Sequence, residues 1–113
     1  MKLMPKRPAR RCPIARALKL VGDRWTLLIL RDLALEGPQK FHELQASVEG
    51  IGPTSLSDRL KLMLENGIVE RRFYSEHPPR AEYVITDKGK GLLPVLKALK
   101  VWGEAHVPEP YAD

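Results

Sequence analysis

A single cysteine, Cys12, stands in a chain of 113 residues, which excludes an internal disulfide framework and leaves either a reactive thiol or a link between two chains. No run approaches the roughly 18 apolar residues that a membrane span requires, and the basic start passes into prolines and arginines instead of an apolar signal core. A cytoplasmic protein with no membrane partner is expected. His42, His77 and His106 have no metal-ligand spacing with one another or with Cys12. A glycine-rich phosphate loop is missing, as is any paired nucleophile and base. The expectation is therefore no metal, no cofactor and no enzymatic activity. No internal repeat stands out, and no second domain is expected.

Acidic residues are absent from the start of the chain, where Lys2, Lys6, Arg7, Arg10, Arg11 and Arg16 all precede Asp23. Together with a formal net charge of +5, this suits a polyanionic partner, because each phosphate neutralised releases condensed counterions. A basic solvated tail that binds nothing specific would look the same. A chain of this size hides only roughly two-thirds of the surface its unfolded form exposes, so extra burial through dimerisation would help it.

What is present is a succession of short helical patterns followed by two strands. Residues 1–11 read as a flexible basic arm and 108–113 as a tail, bracketing one domain over 12–107. Pro13 suits a first helical position, and Ile14, Ala17, Leu18 and Val21 recur at helical spacing until Gly22. Asp23 can cap a second helix, apolar nearly all round from Trp25 to Leu35 and ended by Gly37-Pro38, which must lie at the centre of the core. Phe41 is expected to pair briefly as a strand residue, with His42 beginning a two-turn helix that carries Leu44 and Val48. After the turn Gly50-Ile51-Gly52-Pro53, the stripe Leu56, Leu60, Met63 and Leu64 predicts a fourth helix that stops at Asn66-Gly67.

At ~100° per residue, Thr54, Ser55, Asp58 and Lys61 fall opposite that stripe, flanked by Ser57 and Arg59. This face is small, hydroxylic and mixed in charge, which suits entry into a major groove; a plain solvated face is the other reading. Ile68 to Tyr74 and Ala81 to Ile85 read as antiparallel strands around a loop stiffened by Pro78-Pro79. Thr86 should cap a last helix whose Leu92, Leu93, Val95, Leu96, Leu99, Val101 and Trp102 exceed what one buried face needs. Pro94 within it marks either a kink or the true start. The fold class is thus mainly α with a small β-hairpin wing, a winged helix-turn-helix in which one helix and one hairpin face DNA.

The chain resembles the HxlR-type family of winged helix-turn-helix regulators from Cys12 to about Val107. The resemblance rests on Cys12-Pro13-Ile14-Ala15, Trp25 to Leu33, Phe41-His42-Glu43-Leu44, Leu56-Ser57-Asp58-Arg59-Leu60, Asn66 to Arg71, Pro78 to Tyr83, and Leu92 to Leu96 with Trp102-Gly103. It implies a dimeric regulator that binds double-stranded DNA, with the first and last helices making much of the dimer contact, Pro53 to Asn66 as recognition helix and the wing around Arg80. The family carries proline where Pro94 stands. It usually has serine, a potential phosphate contact, where His42 and Gly52 stand.

The expected DNA-facing set is Lys40, His42, Thr54, Ser55, Ser57, Asp58, Arg59, Lys61, His77 and Arg80, and the expected homodimer contacts are Ile14, Leu18, Leu92, Leu96, Leu99 and Trp102. Arg59 could pair with guanine, with phosphate or with an acid of its own chain. Cys12 is the candidate for chemistry, since a helix start and neighbouring arginines favour a thiolate. Some members of the family sense oxidants or electrophiles through a cysteine that matches it, so a small-molecule or oxidant effector is a possible partner. A small residue packed at the dimer contact is the alternative for Cys12. For the whole chain, the alternative is a winged-helix module that offers the same face to a protein.

Overall fold

Two proline-started helices and one helix with a deeply buried face organise the chain, in a computed structural model that describes residues 11–109. The expected arm, apart from Arg11, and the end of the expected tail lie outside the described residues. Pro13 opens α1 (Pro13–Val21), and the Gly22 N–H closes it on the Leu18 carbonyl at 2.8 Å. Helix α2 (Thr26–Glu36) follows, with Ile29, Leu30 and Leu33 each no more than 1% exposed. Full burial of such side chains stabilises by roughly 1.5–3 kcal/mol apiece. Around them close Leu44 and Val48, then Leu56, Leu60 and Met63, then Ile68 and Val69. As expected, α2 is the axis of the core.

Helix α3 spans Phe41–Ser47, so Phe41 is the first helical residue and not a strand residue. Two contacts explain the difference. The Glu43 carboxylate accepts the Lys40 N–H at 2.8 Å, which starts the helix after Lys40. Gln39 then takes the strand-like position: its N–H donates to the Tyr83 carbonyl at 3.1 Å and its carbonyl accepts the Tyr83 N–H at 2.7 Å. His42 accordingly sits inside the first turn and caps nothing. Helix α4 (Pro53–Glu65) begins after Gly52, in extended conformation, and ends at Asn66 and Gly67, the latter at φ 69°.

The hairpin is longer than its sequence pattern suggests. Strands β1 (Val69–Glu76) and β2 (Pro79–Ile85) pair antiparallel from Val69 with Ile85 to Glu76 with Pro79, leaving only His77-Pro78 as the turn. The ladder slips by one between Phe73, opposite Ala81, and Ser75, opposite Arg80, so Tyr74 is an extra, bulged residue. That insertion lets pairing continue into the expected loop.

The last helix is two. Thr86 caps α5 (Asp87–Lys90) by accepting the Gly89 N–H at 3.1 Å, and its hydroxyl donates to the Ile68 carbonyl at 2.9 Å. Helix α6 (Leu93–His106) starts afresh with Pro94 in its first turn, where the missing N–H costs no hydrogen bond. Pro94 therefore marks a start and not a kink. Among the described residues no helix is long and apolar enough to cross a membrane.

Candidate nucleic-acid interface

The outer face of α4 is built by its own periodicity: with Leu56, Leu60 and Met63 held in the core, Thr54, Ser55, Ser57, Asp58 and Lys61 are all exposed. Gly52 has no side chain to offer at the helix start, so the backbone N–H groups there are the available donors. His42 is exposed on the first turn of α3, and Lys40 lies beside it with Nζ 5.2 Å from the centre of the Tyr74 ring. Lys40 is thus set between the α3 start and the hairpin.

At the far end of the hairpin His77 and Arg80 are exposed, and Arg80 has no ion-pair partner among the described residues. The two arginines of β1 differ. Arg72 is bound across the strands to Glu82 at 3.0 Å, whereas Arg71 lies 5.8 Å from the Phe73 ring centre. The hairpin is fixed at its base by Gln39, which is buried and whose side-chain amide donates to the Asp32 carbonyl at 3.0 Å while its backbone pairs with Tyr83. Asp32, also buried, accepts from the Ser47 hydroxyl at 2.8 Å and from Arg31 Nε at 3.0 Å. One polar knot thereby joins α2, α3 and the hairpin.

Arg59, on the flank of this face, meets an acid of its own chain. Its Nη1 lies 3.4 Å from Asp23 Oδ1, and its side chain is 30% exposed. Asp23 Oδ2 also accepts the N–H groups of Trp25 at 2.8 Å and Thr26 at 2.9 Å, and Oδ1 accepts the Thr26 hydroxyl. Its capping role at α2 was visible in the sequence; its link to Arg59 was not, because only the packing of α2 on α4 joins two positions so far apart. Burial pushes the Asp23 carboxyl up, but the Thr26 hydroxyl, the Trp25 and Thr26 N–H groups and the Arg59 guanidinium together hold it below its ordinary 3.8. A depressed folded pKa means that this stabilisation is present above the unfolded carboxyl's pKa and is lost as pH falls through the folded pKa. Urea unfolding should therefore show parent and Asp23→Asn separated by a constant gap near neutrality that closes in acid. A gap that persists in acid would mean the carboxylate charge is not its source.

Away from α4, the fold leaves apolar surface uncovered. Helix α6 has no buried residue; Leu99 is 50% and Trp102 59% exposed, and on α1 Ile14 is 70% and Leu18 57% exposed. Leu92 and Leu96, also expected at a dimer contact, are half-buried and pack inward against the core. Val101, expected in the apolar surplus of the last helix, and Leu35, at the end of α2, are exposed as well, although neither is in the expected dimer set. A cleft of about 610 Å³ between α2 and α6 is lined by Leu27, Leu28, Leu35, Leu96 and Leu99 among others. Cys12 is half-buried immediately before α1, its carbonyl accepting the Arg16 N–H at 3.0 Å.

Comparison with known proteins places this geometry among regulators. The profile of the HxlR-like helix-turn-helix family matches residues 20–111. The uncharacterised HTH-type transcriptional regulator Mb3122 of Mycobacterium bovis is 42% identical over 97 residues, covering 86% of this chain and 60% of that protein. The chain thus spans about three-fifths of that relative's length. YvaP of Bacillus subtilis, named in the same way, is 36% identical over 90% of this chain and 94% of its own. Among solved structures, the reduced form of the transcriptional regulator YodB from B. subtilis superposes with a TM-score of 0.72 at 34% identity, covering 89% of this chain and 98% of YodB. YodB has also been solved after diamide treatment and with quinone bound.

Proposed function

Since the chain belongs to the HxlR-like helix-turn-helix family, we propose that it is a transcriptional regulator that binds a pseudo-palindromic operator in double-stranded DNA as a homodimer. The observation that carries this reading is the exposed α4 face of Thr54, Ser55, Ser57, Asp58 and Lys61, with Arg80 exposed on the hairpin. In the bound state α4 lies in the major groove, Ser55 and Asp58 meet base edges, and Lys61 meets phosphate. Lys40, His42, His77 and Arg80 contact the backbone or the minor groove beside it. Exposed α1 and α6 join two copies, which sets the two α4 helices about one turn of DNA, or a simple multiple, apart.

Footprinting on the promoter nearest its own gene tests the reading. Ser55→Ala should alter sequence preference more, and Lys61→Ala and Arg80→Ala should weaken binding across all sequences and flatten its salt dependence by about 0.9 per phosphate lost. If all three variants bind like the parent, the interface is wrongly assigned.

Cys12 is the proposed site of an effector, supported by its place at the start of α1 beside exposed Ile14 and by the oxidant- and quinone-treated forms of YodB. A quinone accepts the Cys12 thiolate at a ring carbon, forming an S–C bond, and the proton from the thiol ends on a ring oxygen. The added ring wedges α1 from the partner copy and changes the spacing of the two recognition helices. DNA affinity should fall several-fold after quinone treatment of the parent and stay unchanged for Cys12→Ser. Equal responses from the two proteins would remove Cys12 from the mechanism.

A further inference from the structure

Among the described residues, Asp23 and Arg59 form the one ion pair that joins the start of α2 to the recognition helix. The two partners are not held equally. Asp23 is fixed by three hydrogen bonds, from the Trp25 and Thr26 N–H groups to Oδ2 and from the Thr26 hydroxyl to Oδ1. Arg59 has Asp23 as its sole ion-pair partner among the described residues, at 3.4 Å. Asp23 is therefore the anchor, and Arg59 the long side chain that is drawn to it.

Arg59 sits one turn after Ser55 on the same flank of α4. A guanidinium left free there would reach for any phosphate, and phosphate attraction is blind to sequence. Phosphate contacts supply essentially all non-specific binding, so each additional free cation at this face raises affinity for random DNA first.

We infer that Asp23 is a specificity-determining positioning residue: by holding the Arg59 guanidinium against the start of α2, it withholds one cation from random-sequence DNA and fixes the roll of α4 on the core. This rests on the DNA-binding function proposed above. Of the other groups on this side of α4, Ser55 is uncharged and Asp58 and Lys61 are exposed to solvent.

The test uses the full-length protein on a short random-sequence duplex, with affinity measured against salt for the parent, Arg59→Gln, Asp23→Asn and the double variant. Asparagine can still accept the capping N–H groups, so Asp23→Asn removes the charge and keeps the helix start. Arg59→Gln should leave the salt slope unchanged, because the withheld cation neutralises no phosphate. Asp23→Asn should tighten random-DNA binding several-fold and steepen the slope by about 0.9, the value for one more phosphate. In the double variant the parent slope should return. A slope that falls on Arg59→Gln alone, or that steepens in Asp23→Asn and the double variant alike, overturns the inference. Arg59→Gln decides the matter even if Asp23→Asn fails to fold. No salt-dependent binding by the parent would instead sink the DNA-binding reading, and this inference with it.

Discussion

Replacing Leu99 by Asp is expected to take the protein apart into monomers that no longer bind DNA. Leu99 is half exposed on α6, a helix with no buried residue, while Ile14 and Leu18 lie open on α1. A 14-residue helix is marginal alone in water, so its persistence depends on a covered apolar face. A carboxylate at Leu99 would enter that contact unpaired, at a cost of roughly 3–5 kcal/mol, and two-fold symmetry would introduce it twice. Each 1.4 kcal/mol is about tenfold in an equilibrium constant, so dimer affinity should fall by at least about a hundredfold. Sedimentation equilibrium measures this directly. An unmutated protein that sediments as a folded monomer at micromolar concentration would refute the dimer.

A smaller but still clear loss is expected from a single methyl group. At Gly89, in α5, a Cβ would run into the Ile68 carbonyl oxygen and come within 2.8 Å of Ile85 Cγ1. That carbonyl already accepts the Thr86 N–H and hydroxyl, so it cannot retreat without breaking the cap of α5. Overpacking of this kind costs about 1–3 kcal/mol. Gly89→Ala should therefore lower the urea midpoint clearly, whereas Gly103→Ala, where a Cβ meets nothing within 4 Å, should not. Equal midpoints for the two variants would show that α5 does not press on the hairpin as described.

Local chemistry made much of the fold readable in advance. Prolines at first helical positions and glycines after last turns gave the bounds of α1 and α4, because those signals act within a few residues. Two of the misreadings involve partners distant in sequence. Gln39 became strand-like because Tyr83 lies beside it, and the hairpin lengthened because a bulge at Tyr74 re-registers the ladder. Neither fact leaves a mark in composition. The exposed face of α4 followed from a 100° rotation per residue, but the capture of Arg59 by Asp23 required α2 and α4 to be packed together first.

The bridge from Gln39 has a consequence for how the protein stays apart from its neighbours. A two-stranded ribbon ordinarily presents two unpaired edges, each able to recruit a strand from another molecule. Gln39 shields β2 near Tyr83, so among the described residues β1 is the strand whose outer edge has no backbone partner strand. That edge also displays aromatic surface, with Phe73 56% and Tyr74 47% exposed. Yet Glu70, Arg71 and Arg72 precede those rings with charge of both signs, and the bulge at Tyr74 breaks the regular spacing of backbone donors and acceptors. A foreign strand would have to pair with an edge that is charged in one half and out of step in the other, so the hairpin can project far enough to reach a partner without becoming a template for aggregation.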